Sequence, residues 1–140
     1  MKTNNKKVKF TVDDPIFKTE TLFLLGYDNT AMAKEMIKRG AYDFNAEDLQ
    51  NSNGAQFIVR EYTDDKKRFY KSVRVVWVES WEKTPECIGV IAHEIFHLVI
   101  TICSFKEVHL NDDNHETGAY LMDFYMRRVM GHLLNKKPYW

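Results

Sequence analysis

The sequence predicts an α+β fold in which a small, mostly antiparallel sheet packs against two long helices. Short runs rich in β-branched and aromatic residues dominate the first half of the chain, and two long amphipathic helical patterns follow them. The chain has 140 residues, of which 44% are hydrophobic and 14% aromatic, and this is enough to close one core. We therefore expect a single domain over residues 1–140, with residues 1–9 as a flexible basic tail.

Four segments have the composition of β-strands. The first alternates weakly between apolar and polar residues, the second is nearly all apolar, and the last two are rich in Val, Ile, Phe, Tyr and Trp. The last two should form an antiparallel hairpin around residues 63–67. The fourth is apolar on most of both faces, which predicts an inner strand. In chain order, the segments are residues 8–12, 21–27, 55–62 and 68–79.

A first helix is expected between the second and third strands. It should begin at Asp28 or Asn29 and end near Arg39, because Gly40 follows where a glycine commonly ends a helix. Residues 46–50 predict one further helical turn.

Two longer helices should follow the hairpin. Thr84 followed by Pro85 combines an N-cap residue with a proline at the first helical position, and the helical pattern runs to about residue 104. The last helix is expected to begin near Asp113 or Asn114 and to continue to about Leu134. Its apolar stripe is predicted to comprise Ala119, Met122, Met126, Val129 and Leu133.

Charge and composition argue against several classes of protein. The 20 Lys and Arg residues balance the 20 Asp and Glu residues, so no net charge attracts a nucleic acid. The longest apolar stretch, residues 95–103, is shorter than the roughly 20 residues that span a bilayer, and the N-terminus lacks the pattern of a secretory signal. Cys87 and Cys103 lie too far apart in one helix to pair, and predict buried free thiols. We expect a soluble cytoplasmic protein with no membrane or nucleic-acid partner.

The sequence His93-Glu94-Ile95-Phe96-His97 is an HExxH motif inside the first of the long helices. Histidines four residues apart project from adjacent turns, about 40° apart, and can reach one ion. Zinc suits two imidazoles, a third ligand and an open position that holds water, and Glu94 can take the proton of that water as a general base.

The surroundings of the motif favour a metal over ordinary packing. The histidines lie opposite the core stripe, yet apolar residues surround the helix, which predicts burial between two layers. There, two unpaired imidazoles would be costly and a metal would offset that cost. The alternative is that His93 and His97 merely pack inside a buried helix.

A third ligand is expected in the first turn of the last helix. Glu116 follows His97 by nineteen residues, which is enough for the chain to turn and bring a second helix back over the motif. Tyr120 and Asp123 lie on the same line of that helix and could orient a histidine or contact substrate. As an alternative, Glu116 could form a capping box with Asp113.

Other residues offer competing interpretations. Asp123 and Arg127, four residues apart, are also typical of an ordinary surface ion pair. His109, Asp112 and His115 could each replace Glu116 as the third ligand, although a loop residue is less rigidly placed.

The motif with Glu116 resembles the minimal gluzincin active site of thermolysin-like enzymes. Its context, residues 87–97 and then Glu116-Thr117-Gly118-Ala119-Tyr120, is more similar to the small zincin-like peptidases that bacteriophages and prophages encode. The resemblance covers residues 68–130. It implies a zincin-like fold with the second long helix behind the motif helix, Zn²⁺ on His93, His97 and Glu116, Glu94 as the base, and a peptide or protein substrate.

The resemblance has further implications for the cleft. Tyr120 stands where thermolysin-like enzymes place an aspartate, so Asp123 is the nearest substitute for orienting a histidine. In zincins the strand before the motif helix borders the cleft, which implies that residues 73–79 pair with an extended peptide. Two other functions stay open: a zinc-bearing, non-catalytic phage structural or regulatory module, and an interaction domain without metal.

Overall fold

A computed structural model describes residues 6–41, 44–63 and 68–134. Within these ranges it contains four strands and three α-helices, which confirms the predicted α+β class. In chain order, the elements are β1 (Val8–Asp13), β2 (Glu20–Leu25), α1 (Asn29–Lys38), a short 3-10 helix (Ala46–Leu49), β3 (Gly54–Thr63), β4 (Arg68–Val78), α2 (Pro85–Phe105) and α3 (His115–Leu133).

The ends of these elements follow the sequence signals closely. Asp28 caps α1 by accepting a hydrogen bond from the Ala31 N–H at 2.7 Å, and Gly40 has the predicted left-handed conformation with φ of 83°. Val8 and Lys9 belong to β1, so the tail predicted for residues 1–9 does not hold for these two. Residues 1–5 of that tail, and residues 64–67 of the predicted hairpin turn, lie outside the described residues.

The sheet has the strand order β1-β2-β4-β3 and is mixed. The pairs β1–β2 and β3–β4 are antiparallel, but β2 and β4 are parallel, with Leu22 opposite Val75. The prediction of a mostly antiparallel sheet is therefore wrong. Because β4 is apolar on both faces, it lies between β2 and β3, where both faces are covered, and this confirms the predicted inner strand.

Helices cover both faces of the sheet. On one face, Met32 and Met36 of α1 pack against residues of β2 and β4, including Trp77. On the other face, α2 and α3 share one core with the sheet, and the Tyr125 ring of α3 lies 6.0 Å from the Phe23 ring of β2. Helix α3 therefore lies beside α2 on the sheet, and not behind it as predicted.

Helix α2 has one buried face and one open face. Ile91, Ile95 and Leu98 are fully buried against the sheet, whereas Phe96 and Ile100 on the outer side are 53% and 39% exposed. The predicted burial between two layers is wrong, because α3 contacts the flank of α2 and leaves its outer side open.

By length and composition, α2 is also the one helix among the described residues that could cross a membrane, with a mean hydropathy of 1.8. A single such helix is weak evidence for a membrane span, because the core helix of a soluble protein has the same properties. The packing of α2 on the sheet agrees with the soluble protein that the sequence predicts.

The start of α2 is built as the sequence predicts. The Thr84 side chain accepts a hydrogen bond from the Cys87 N–H at 3.2 Å, and Pro85 occupies the first helical position. Cys87 and Cys103 are both free and buried, as expected.

We predict that Thr84→Ala lowers the free energy of unfolding by about 1 kcal/mol, because the Cys87 N–H loses its partner. Urea denaturation followed by circular dichroism measures the change. Thr30→Ala, at an exposed position in the first turn of α1, is the control and should have a much smaller effect. Equal losses in the two variants would contradict the capping role.

Candidate metal centre

The two histidines of the motif converge on one point at the surface of α2. Their Nε2 atoms lie 3.1 Å apart, and the ring centroids lie 4.7 Å apart with an interplanar angle of 78°. Two nitrogens on one tetrahedral zinc ion, each bound at about 2.0–2.1 Å, would be about 3.3 Å apart. The same distance also suits a hydrogen bond from one neutral imidazole to the other. The pair therefore fits two positions of a zinc site without requiring one.

The histidines are exposed to solvent. The His93 side chain is 66% exposed and His97 is exposed as well. The cost of burying two unpaired imidazoles therefore does not arise here, and that argument for a metal fails. Their exposure also leaves the approach to both nitrogens open to a substrate.

Glu94 combines burial with proximity to the histidines. It is only 8% exposed, and its Oε1 atom lies 3.9 Å from His93 Nε2. Burial raises the pKa of the Glu94 carboxyl above its ordinary value, while positive charge on His93 and His97 opposes that shift. A carboxyl with a raised pKa beside two imidazoles is typical of a group that transfers protons.

Gly54, at the start of β3, makes room for the Glu94 side chain. A Cβ atom added at Gly54 would lie 3.4 Å from Glu94 Cγ and 3.1 Å from Val90 Cγ1. In the sequence, Gly54 follows Asn51, Ser52 and Asn53, a composition that is typical of a turn. The signal that could have singled it out is the position of Gly54 at the beginning of a strand, where a glycine often marks the close approach of another group.

Glu116 is not brought to the histidines. Its side chain is 91% exposed, and its Oε1 atom lies 3.9 Å from His115 Nδ1. Tyr125, nine residues later, is about 180° around α3 from Glu116 and fully buried, so the core side of α3 turns Glu116 toward solvent. The role of Glu116 as third zinc ligand stays a prediction.

The roles of the other candidate third ligands also stay predictions. His109, Asp112 and His115 are all exposed. In the part of the chain that the structure describes, no group of three His, Cys, Asp or Glu side chains is placed to hold a metal ion. The described residues therefore supply two converging nitrogens and a neighbouring carboxyl group, but not a complete ligand set.

The start of α3 excludes the capping box. Asn114 is the N-cap and its side chain does not cap the helix; its Oδ1 atom accepts a hydrogen bond from the Asn111 N–H at 2.8 Å instead. Asp113 does not occupy the cap position, so the interpretation of Glu116 as the partner of Asp113 is wrong. The carboxylate of Glu116 is thus not committed to the helix backbone.

Tyr120, Asp123 and Arg127 of α3 lie at the surface. Arg127 Nε donates to Asp123 Oδ1 at 2.9 Å, which confirms the ordinary ion pair. Tyr120 is 47% exposed. Supporting roles for Tyr120 and Asp123 at a metal stay predictions.

The strand that the resemblance implied for peptide binding has no free edge. Because β4 pairs with β2 on one side and β3 on the other, residues 73–78 cannot accept an added strand, and that expectation is wrong. Strand β3 forms one edge of the described sheet, and its first residue, Gly54, lies beside Glu94. An extended peptide near the motif would therefore meet β3.

No family model matches this chain, and searches of curated proteins and of solved structures find no match. The motif residues and their geometry are therefore the features of this chain that bear on its function.

We predict that Glu94→Gln raises the free energy of unfolding at pH 7 in protein freed of metal with EDTA. The raised pKa of Glu94 means that burial opposes ionisation, so the folded state of the wild type is penalised once the carboxyl is charged. The gain should vanish as the pH falls below the ordinary carboxyl pKa of about 4.3, where the group is protonated in both states.

Denaturant titrations at several pH values measure this difference. Glu86→Gln is the matched control, because it makes the same substitution at an exposed position of the same helix. A Glu94→Gln protein less stable than the wild type at pH 7 would show that the carboxylate is stabilised in the fold.

Proposed function

We propose that this chain is a zinc-dependent metallopeptidase that hydrolyses peptide bonds. The observation that carries the proposal is the 3.1 Å approach of His93 Nε2 to His97 Nε2, with the buried Glu94 carboxylate on the residue between them in sequence. Exposure of the histidines supports the proposal, because a peptide can reach them from solvent.

The residues of the motif have separate roles in this proposal. Zinc, when bound, would polarise the scissile carbonyl and lower the pKa of water. His93 and His97 supply two nitrogen ligands. Glu94 takes a proton from the attacking water and delivers it to the leaving amine, and its raised pKa makes it a better proton acceptor than an exposed glutamate at neutral pH.

Glu116 is proposed as the third ligand because it lies in the first turn of α3, the helix that follows the motif helix in the chain. Glu116 is 91% exposed and does not form a capping box, so no buried contact holds its side chain. The change required is larger than a rotamer shift, because Glu116 lies on the side of α3 opposite the core.

A second candidate is a zinc-bearing module that cuts no substrate. The observation that favours it is the absence, among the described residues, of a third ligand next to the histidines. An ion held by His93 and His97 alone would bind weakly, and a partner protein could complete its coordination and so bind to α2. The two candidates differ in two respects: the peptidase cleaves peptides and needs Glu116 to bind zinc, whereas the non-catalytic module does neither.

Metal content separates a zinc protein from a protein without metal. We expect reconstituted wild type to retain about one zinc ion per chain after dialysis, whereas His93→Ala and His97→Ala should retain almost none. Glu116→Ala should weaken zinc binding at least about tenfold. Mass spectrometry of the metal and a competition titration with a chelator measure these values.

His132→Ala is the control for loss of a histidine, because His132 stacks on Phe10 away from the motif and should leave the zinc content unchanged. His109→Ala, Asp112→Ala and His115→Ala test the competing third ligands in the same assay. Wild type that retains no zinc even at excess metal would overturn both zinc candidates.

Turnover tests the assignment of Glu94. We expect Glu94→Gln to keep its zinc and to lose peptide hydrolysis by about 10²–10⁴-fold, whereas Glu86→Gln, on the exposed side of α2, should be as active as wild type. Cleavage of a broad peptide library, read by mass spectrometry, is the measurement. A zinc-loaded wild type that cleaves no peptide would favour the non-catalytic module, and equal rates for Glu94→Gln and wild type would exclude the mechanism.

A further inference from the structure

A cavity lies at the C-terminal end of α2, beyond the motif. Its volume is about 300 Å³. Along the axis of α2, Phe105 is about 12 Å beyond His97, so the cavity is separate from the metal centre. Its walls come from β4, from the edge strand β3, from the segment before β2 and from the end of α2, and they include Phe17, Thr19, Ile58, Arg74, Phe105 and Lys106.

The cavity contains a buried guanidinium group. Arg74 is only 7% exposed, and its Nη1 atom is shielded from solvent without a hydrogen-bond partner in the described part of the chain. Arg74 Cζ lies 5.6 Å from the centroid of the Phe105 ring. Burial lowers the pKa of Arg74, but an arginine keeps its charge at neutral pH. Arg74 is therefore a largely buried positive charge in a residue that lines the cavity.

The neighbouring groups do not neutralise Arg74. Asp14 is buried, but its carboxylate accepts hydrogen bonds from three backbone N–H groups, at distances of 2.6–3.0 Å. Glu20, at the wall of the cavity, is bound by Lys71 Nζ at 2.9 Å. Burial raises the pKa of Tyr125, so its phenol stays neutral. A buried charge without a counter-ion is costly, and an anion in the cavity would remove that cost.

The rim of the cavity adds positive charge and apolar surface. Lys106 is exposed, and its Nζ atom also lies 5.6 Å from the centroid of the Phe105 ring. Phe105 is 71% exposed, and Ile58, on the same face of the sheet as Arg74, is 51% exposed. Large apolar side chains held in solvent beside a buried cation are typical of a small-molecule site, and a volume of about 300 Å³ lies at the lower end of the range for such sites.

We propose that this cavity binds the carboxylate of a small organic acid with an apolar body. The carboxylate lies against the Arg74 guanidinium, whose planar donors match its two oxygens, and Lys106 adds charge at the rim. Phe105 and Ile58 contact the apolar body. A free acid and the C-terminus of a hydrophobic peptide share this chemistry. The site does not depend on the proposed peptidase activity.

The test compares matched ligands that differ only in charge. N-acetylphenylalanine and its C-terminal amide are titrated into the full chain by calorimetry, in EDTA so that no zinc ion can bind the carboxylate. The acid should bind at least about tenfold more tightly than the amide. A hydrophobic tripeptide with a free C-terminus identifies the source: tighter binding than the single amino acid indicates a peptide terminus, and weaker binding indicates a free acid.

Variants assign the binding to the cavity. Arg74→Met should abolish the preference for the acid over the amide. Because Arg74 is buried, its substitution can also disturb the fold. Lys106→Ala and Phe105→Ala therefore test the cavity at exposed positions, and each should weaken binding of the acid by about two- to fivefold. Lys38→Ala, which removes an exposed lysine of α1 on the other face of the sheet, should leave binding unchanged.

Three results would overturn the proposal. The first is no saturable binding of the acid by wild type at millimolar concentration. The second is equal affinity for the acid and the amide. The third is wild-type affinity in both Lys106→Ala and Phe105→Ala.

Discussion

The burial of both faces of β4 is the constraint on which the rest of the structure depends. Residues 73–78 are all at most 7% exposed, so this strand needs a neighbour on each side and helices on each face. It lies between its parallel partner β2 and its antiparallel partner β3, which leaves β3 at one edge of the sheet. Helices α2 and α3 must then share one face of the sheet, and the outer side of α2, with His93 and His97, stays open to solvent.

This arrangement separates what the motif determines from what the fold determines. The approach of the two imidazoles is local, because residues four apart on any helix lie on adjacent turns. The burial of Glu94 is tertiary, since it depends on the contact of α2 with the beginning of β3 at Gly54. A third ligand is also a matter of tertiary structure, and the packing of α3 decides whether Glu116 can reach the histidines.

Sequence patterns predicted the elements well because their signals are local. Thr84 and Pro85 begin α2, and Gly40 takes a positive φ after α1, as their chemistry requires. Pairing between strands that are distant in sequence was missed, because a strand that is apolar on both faces has the same pattern beside a parallel or an antiparallel neighbour. The order of the strands follows from long-range packing, and the hydrophobic periodicity of a single segment does not indicate that order.

The rotation of α3 shows the same limit at the candidate site. The predicted apolar stripe included Ala119, which is exposed, and omitted Leu121 and Tyr125, which are fully buried. Both stripes contain Val129 and Leu133, so periodicity alone could not choose between them. The choice comes from the sheet, where the Phe23 ring offers a neighbour to the Tyr125 ring. That contact determines where Glu116 points.

Glu94 and Arg74 show how the fold tolerates two buried ionisable groups on the same face of the sheet. Each is less than 10% exposed. Burial raises the pKa of Glu94 and lowers the pKa of Arg74, and both shifts favour the neutral form of the group. Neither group has an ion pair with a permanently charged side chain in the described residues, whereas Glu35 and Glu61, near the other face, both pair with Arg39. Because an unpaired buried charge lowers stability, it persists most readily where a ligand or a reaction uses it. Glu94, in the middle of α2, and Arg74, beside the C-terminal end of α2, are therefore the two buried groups whose cost in stability the proposed reaction and the proposed ligand would explain.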